Sequence, residues 1–230
     1  MNKRSTIARD ISWLSFNSRV LQEAKDNSVP IRERIKFLGI FSNNLDEFFR
    51  VRVATLKRMI EFGNKAKVHL ELNPEKILEE ILSTVLILQE EFEKTWKKIV
   101  TELKKDNIII VNHKQVNVIQ KKFILNYFNE QVRGHIVPLM IESIKDFPVL
   151  NDKSLYLACI LSKKDAKSAN KKYALISIPT KSLPRFIELP SESAKKIILL
   201  DDIIRFCLPY IFTFFNYYIC CARFFQGLSK

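Results

Sequence analysis

The chain has 230 residues, 47% of them hydrophobic, and its 38 lysines and arginines outnumber 25 aspartates and glutamates for a formal charge of +13. That hydrophobic share excludes a disordered tail and leaves room for one large domain or two modest ones. The 4 glycines form neither G-x-G-x-x-G nor G-x-x-x-x-G-K-[ST], so the two commonest glycine-rich phosphate loops are excluded as well.

The first stretch, "DISWLSFNSRVLQEAKD", carries Leu14, Val20, Leu21 and Ala24 at helical spacing, with Ser12 or Ser15 as its expected N-cap. Pro30 suits the first position of a second helix, "PIRERIKFLGIF", on which Ile31, Ile35 and Leu38 share a face. Gly39 borders that face and is expected to admit a neighbouring helix closely. A third helix is expected to start at Asn43 or Asn44 and to stop near Gly63. Asn73 and Pro74 then open a long fourth helix striped by Leu78, Leu82, Val85, Leu88, Phe92, Trp96, Ile99 and Leu103. Residues 1–106 therefore read as a small helical bundle.

Beyond residue 106 the period changes. "IIIV" reads as a strand and "VIQKKFILNYFNEQVRGHI" as an amphipathic helix. "SLYLACILS" and "KYALISIPT" read as a hairpin around the lysine-rich loop "KKDAKSANKK". "PRFIEL" and "KIILL" add strands, and "DDIIRFCLPYIF" opens on acids like a helix N-terminus. The fold class expected is α+β: an all-α bundle over 1–106, then a mixed α/β domain over 107–230.

Residues 44 to 60 carry the densest polar signal. On a helical wheel Leu45, Phe48, Phe49, Val53, Leu56 and Ile60 form one stripe, with Arg52 in its middle. Asn44 followed by Glu47 reads as a capping box; such a helix start either satisfies its own N–H groups or offers them to a nucleotide base or phosphate. Asp46 and Arg50 are spaced for a surface ion pair. Arg52 needs a partner, because an unpaired buried charge is costly. That partner is an internal carboxylate such as Glu23 or Glu33, a bound phosphate, or a carboxylate of another domain.

No catalytic constellation is visible. His69, His113 and His135 stand near no other histidine, cysteine or acid at metal-ligand spacing, and no G-x-S-x-G or H-E-x-x-H occurs. No catalytic residue and no metal ligand is assigned. Cys159, Cys207, Cys220 and Cys221 fit no zinc pattern. With no signal peptide in "MNKRSTIARD", they read as reduced thiols of a cytoplasmic protein. No apolar run reaches the roughly 18 residues of a membrane span. The positive charge points to a polyanion, either a nucleic acid, an anionic membrane surface or a phosphate polymer.

The stretches "RDISWLSFNSRVLQEAKD", "VPIRERIKFLGIFSNNLDEFFRVRVATLKR", "YALISIPTKSLPRFIELP" and "IILLDDIIRFCLPYIF" together resemble the bacterial polyphosphate kinases of the ATP-dependent, polyphosphate-synthesising type. The resemblance runs in order from about residue 8 to about 215, and weakens over "NYYICCARFFQGLSK". It implies an N-terminal helical domain that forms one wall of an ATP site, a head domain used in homo-dimerisation, and two phospholipase-D-like domains beyond. The implied chemistry is reversible transfer of the terminal phosphoryl of ATP to polyphosphate through a phosphohistidine, with Mg2+. The implied ATP contact is the asparagine directly before Leu-Asp-Glu, here Asn44. Arg52 corresponds to the family's "VR" position as a structural or inter-domain contact. The phosphorylated histidine and the magnesium ligands belong to the family's C-terminal half, and none of His69, His113 or His135 matches them. The chain thus reads as a truncated product or a fragment with an incomplete head domain, inactive alone. The alternative reading is a non-enzymatic basic module that binds polyphosphate or nucleic acid through "SKKDAKSANKK", or a dimerisation fragment. No specific nucleic acid is implied, and peripheral membrane association stays open.

Overall fold

The computed structural model describes residues 9–62, 73–141, 150–151, 154–163, 171–212 and 217–226. The chain divides between Asp106 and Asn107 into two compact units. The lysine-rich loop residues 164–170, His69 and Gly63 lie outside the described residues.

In the first unit, helix α1 (Arg9–Lys25) buries Leu14, Asn17, Leu21 and Ala24 on one face. Ser12 and Ser15 do not cap it. Both lie inside the helix, and the Ser15 hydroxyl donates to the Ile11 carbonyl at 3.0 Å, a local bond serine makes in mid-helix. The turn that follows is closed by the Asp26 carboxylate, which accepts from the Ser28 N–H at 2.8 Å. That bond lowers the Asp26 pKa. Pro30, with φ −55°, leads into helix α2 (Ile31–Phe48). An added Cβ on Gly39 would meet nothing within 4 Å, so among the described residues no helix packs closely there, contrary to expectation.

Helix α2 has no break at Asn43. It passes into a π-helical turn (Phe49–Val53) and on into helix α3 (Ala54–Phe62), so Asn44 is an interior residue and not an N-cap. The π turn also corrects the wheel. A turn closed from i to i+5 absorbs one extra residue and rotates later positions by about 100°. Leu45, Phe48, Val53 and Leu56 remain buried, whereas the Arg52 side chain is 45% exposed.

Helix α4 (Pro74–Lys105) starts as expected: the Asn73 side chain accepts from the N–H groups of Glu75 and Lys76. Its buried face carries Ile81, Val85, Leu88, Thr95, Ile99 and Leu103. Leu82, expected in that stripe, is 42% exposed, because Ile81 takes the inward position. Lys25 and Glu91 pair at 3.0 Å and Phe41 stacks on Phe92 with ring centroids 5.7 Å apart, so α4 lies against both α1 and α2. Asn107 follows with φ 58°, the left-handed conformation asparagine tolerates at a helix end.

The second unit holds two sheets. Strand β1 (Ile108–Val111) runs parallel to β6 (Lys195–Leu199), and β5 (Phe186–Leu189) pairs antiparallel with β6, giving the order β1-β6-β5. The other sheet is antiparallel. It comprises β2 (Leu139–Met140), β3 (Leu155–Lys163), β4 (Lys172–Ser177) and β7 (Tyr217–Gln226), in the order β2-β4-β3-β7. The expected β3–β4 hairpin is present. Helix α5 (Val118–Tyr127) opens with a capping box between Asn117 and Gln120 and ends in a π turn (Phe128–Val132). Helix α6 (Leu200–Phe212) follows β6 directly. Val111, Ile187 and Ile198 of the first sheet share one core with Leu157, Ala174 and Ile176 of the second, and α6 adds Ile203, Ile204, Leu208 and Phe212.

Cys159 and Cys207 are buried and unbridged. Burial pushes the Cys207 thiol up to about 12, so the reactive thiolate is scarce at neutral pH. We expect Cys159 and Cys207 to resist iodoacetamide in the folded chain and to react once it is unfolded. Peptide-resolved mass spectrometry checks this, and labelling of Cys207 at the unfolded rate would contradict its burial.

Candidate functional site

The polar groups singled out in the sequence converge on one seam, where α1 packs along α2 and its π turn. Three rungs cross it. At the first, the Asp10 carboxylate takes two hydrogen bonds from Arg52, from Nε at 2.6 Å and Nη2 at 3.0 Å. Asp10 lies in the first turn of α1, where a carboxylate also meets the positive end of the helix. The pairing raises the Arg52 pKa, chiefly through the hydrogen bond to Asp10. Arg52 is thus paired internally, and its partner is neither Glu23 nor Glu33. At the second rung the Trp13 and Phe48 rings stack, centroids 4.7 Å apart and planes 14° from parallel. At the third, the Asn44 side-chain amide donates from Nδ2 to Asn17 Oδ1 at 3.1 Å.

An open cleft of about 290 Å³ lies along the first two rungs, lined by Arg9, Asp10, Trp13, Glu47, Phe48, Val51 and Arg52. Asn44 does not line it; its rung is one helical turn nearer the start of α2. Glu47, expected to close a capping box with Asn44, instead pairs with Arg50 at 3.3 Å. The cleft offers aromatic rings and a bidentate guanidinium already engaged by its own carboxylate.

Asn17 went unremarked at the sequence level, although its signal was there. Leu14, Asn17, Leu21 and Ala24 are spaced three, four and three apart, which sets one amide on an otherwise apolar stripe. Asn17 is 0% exposed, and its Nδ2 donates to the Phe41 carbonyl at 3.2 Å.

The second unit holds a separate polar cluster. His113 Nδ1 lies 2.8 Å from Asp202 Oδ1, and the His113 N–H donates to the same oxygen at 3.3 Å. The two are 89 residues apart in the chain, so no sequence spacing pointed to this pair. Beside it, Arg185 reaches Asp201 at 3.8 Å, and burial raises the Asp201 pKa. These contacts tie the loop after β1 and the start of β5 to the first turn of α6. Among the described residues no group of three histidine, cysteine, aspartate or glutamate side chains is placed to hold a metal ion, so the residues present do not fit a magnesium site. Nor is any helix among them long and apolar enough to cross a membrane.

Two family models match the chain, the polyphosphate kinase N-terminal domain over residues 6–111 and the polyphosphate kinase middle domain over 119–226. The chain belongs to the polyphosphate kinase family. The second match reaches residue 226 and so includes β7, beyond the point near 215 where the resemblance was expected to fade. Among curated relatives, the polyphosphate kinase of Vibrio parahaemolyticus is 44% identical over 216 residues and that of Escherichia coli 40% over 216. In both cases the alignment covers 92% of this chain and 30% of the relative. A crystal structure of polyphosphate kinase from Porphyromonas gingivalis superposes with a TM-score of 0.84 at 30% identity, covering 97% of this chain and 33% of that one. The chain therefore spans about 30% of the length of the relatives it matches.

Proposed function

We propose that these residues form one wall of the ATP site of a polyphosphate kinase, with Asn44 as the ATP contact. The reversible transfer of the terminal phosphoryl to polyphosphate, with Mg2+, is then carried by groups outside the described residues. The single observation that carries this reading is the placement of Asn44. It is partly exposed on a continuous helix, and its amide is held by a buried partner. Phosphoryl transfer rests on positioning and charge neutralisation around the phosphates, and neither the cleft nor the His113 cluster assembles such groups. Alone, the chain binds ATP weakly and does not exchange phosphate between ATP and polyphosphate.

Calorimetric titration of ATP into the chain tests this at low and moderate salt. Asn44→Ala is expected to weaken binding about tenfold, the scale of one lost hydrogen bond to a ligand. Unaltered binding in Asn44→Ala would remove Asn44 from the site. ATP–polyphosphate exchange above background by the chain alone would overturn the assignment of the chemistry elsewhere.

One observation favours a second reading. Residues 107–230 carry twice as many basic as acidic side chains, whereas the helical unit is nearly balanced. On that reading the second unit binds polyanions by charge alone, or pairs subunits. Charge-only binding falls steeply with salt and does not separate polyphosphate from DNA.

A further inference from the structure

The hydrogen bonds at the third rung run in a fixed direction. A backbone carbonyl can only accept, so the Phe41 oxygen determines which end of the Asn17 amide faces it: the donor, Nδ2, at 3.2 Å. Asn17 is 0% exposed and has no water to turn toward. Its other end, Oδ1, is therefore committed to face Asn44. Oδ1 only accepts, so Asn44 must present Nδ2 to it, at 3.1 Å. The polarity of one backbone carbonyl on α2 is thereby passed through a buried amide on α1 and back to a side chain on α2, three residues further on. A free asparagine flips its amide at little cost. This one is held.

With one Nδ2 proton used, Asn44 has left its carbonyl Oδ1 and a second N–H. Side by side, an acceptor and a donor complement the edge of adenine, where a 6-amino donor adjoins a ring-nitrogen acceptor. Guanine presents acceptors at the corresponding positions of that edge, and a phosphate has no donor to offer Oδ1. We infer that Asn17 is a positioning residue for nucleotide recognition, holding the Asn44 amide in the one orientation that reads the adenine base and not the phosphates. This deepens the reading of Asn44 as the ATP contact, and rests on it.

The test titrates ATP, GTP and inorganic tripolyphosphate into the isotope-labelled chain, following Asn44 and its neighbours by NMR, in wild type and in Asn44→Ala, Asn17→Leu and Asn17→Asp. Wild type is expected to prefer ATP over GTP by about tenfold, the worth of one good bidentate base contact, with no Asn44 response to tripolyphosphate. Asn17→Leu, nearly isosteric but unable to hold the amide, is expected to bring the ATP/GTP ratio close to one while circular dichroism still shows the fold. Asn17→Asp covers the case in which leucine is not tolerated. Buried against a carbonyl, its neutral acid form donates an O–H to Phe41 and accepts from Asn44, restoring both bonds. Its charged form loses the first. A carboxylate still only accepts, so the charged form keeps the bond from Asn44. The ATP/GTP ratio of Asn17→Asp should therefore match wild type at any pH, a rescue of the leucine defect that a purely structural role does not produce. Loss of the ATP preference in folded Asn17→Asp would overturn the role of Asn17.

The outcomes separate the two claims. Selectivity abolished by Asn44→Ala but unchanged in folded Asn17→Leu leaves Asn44 as the contact and overturns the role of Asn17. No ATP binding by wild type, or binding indifferent to Asn44→Ala, overturns the reading of Asn44 and this inference with it. An Asn44 response to tripolyphosphate equal to that for ATP overturns the base assignment.

Discussion

Glu102→Ala is expected to destabilise the helical unit by about 2–3 kcal/mol, the loss expected when a buried guanidinium keeps its charge and loses its carboxylate, discounted for partial solvent access. Arg34 is the largest fully buried side chain among the described residues, at 2% exposure. Its Nε donates to the Ala24 carbonyl at 2.9 Å and its Nη1 to Glu102 at 2.5 Å, while Nη2 has no hydrogen-bond partner among the described residues. Ala24 lies in the last turn of α1, where carbonyls have no partner within the helix. Arg34 thus caps α1 from α2 and reaches α4 through Glu102. The discount applies because Glu102 is itself partly exposed, so some water can approach the stranded guanidinium. Arg34→Met should cost less, about 1–2 kcal/mol, since it loses the cap but also removes the charge that burial penalises. Once Arg34 is methionine, adding Glu102→Ala should cost almost nothing, leaving a coupling of about 2 kcal/mol in the double-mutant cycle. Both tryptophans, Trp13 and Trp96, lie in this unit, so urea unfolding followed by tryptophan fluorescence reports on it. Additive single costs would show that the two side chains do not act as a pair.

How far the sequence was legible varies with the range of the interaction. The strands and long helices were readable because their signals are local: alternating apolar residues for β3 and β4, Asn73-Pro74 for the start of α4. The start of the third helix was misread for the same reason. Asn44, Leu45, Asp46 and Glu47 look like a capping box, but a cap residue must itself leave helical conformation. Asn44 stays helical, inside a helix that runs unbroken from Ile31 to Phe48. The asparagine is satisfied instead by Asn17 on another helix, 27 residues away. For Arg52 the need for a partner was legible from its place on an apolar stripe, but the partner was not. The π turn rotated Arg52 toward the first turn of α1, and a 3.6-residue wheel contains no such step. The pairing of His113 with Asp202 has no local signal at all. It arises because parallel pairing of β1 with β6 brings the end of one strand beside the helix that follows the other.

Phe212→Ala is expected to cost the second unit about 3–5 kcal/mol, the range for truncating a fully buried aromatic ring. Helix α6 leaves β6 without a loop, its first N–H tied to the Arg185 carbonyl at 2.8 Å. It then places Ile203, Ile204, Cys207 and Leu208 into the core shared by the two sheets. Pro209 falls inside the helix, where it removes one backbone donor and crowds the preceding turn. A helix interrupted there would ordinarily fray. It continues to Phe212 because the phenylalanine, fully buried beyond the proline, anchors the last turn in the core. Truncation therefore removes the ring and the anchor together. Tyr210, one residue past the proline and 54% exposed, is the control: Tyr210→Ala should change stability by no more than about 0.5 kcal/mol. All six tyrosines lie at or beyond Tyr127, so near-ultraviolet tyrosine dichroism follows this unit apart from the tryptophan signal of the other. A loss below about 1 kcal/mol for Phe212→Ala, far short of a buried ring, would mean that the last turn of α6 is held by something other than its packing.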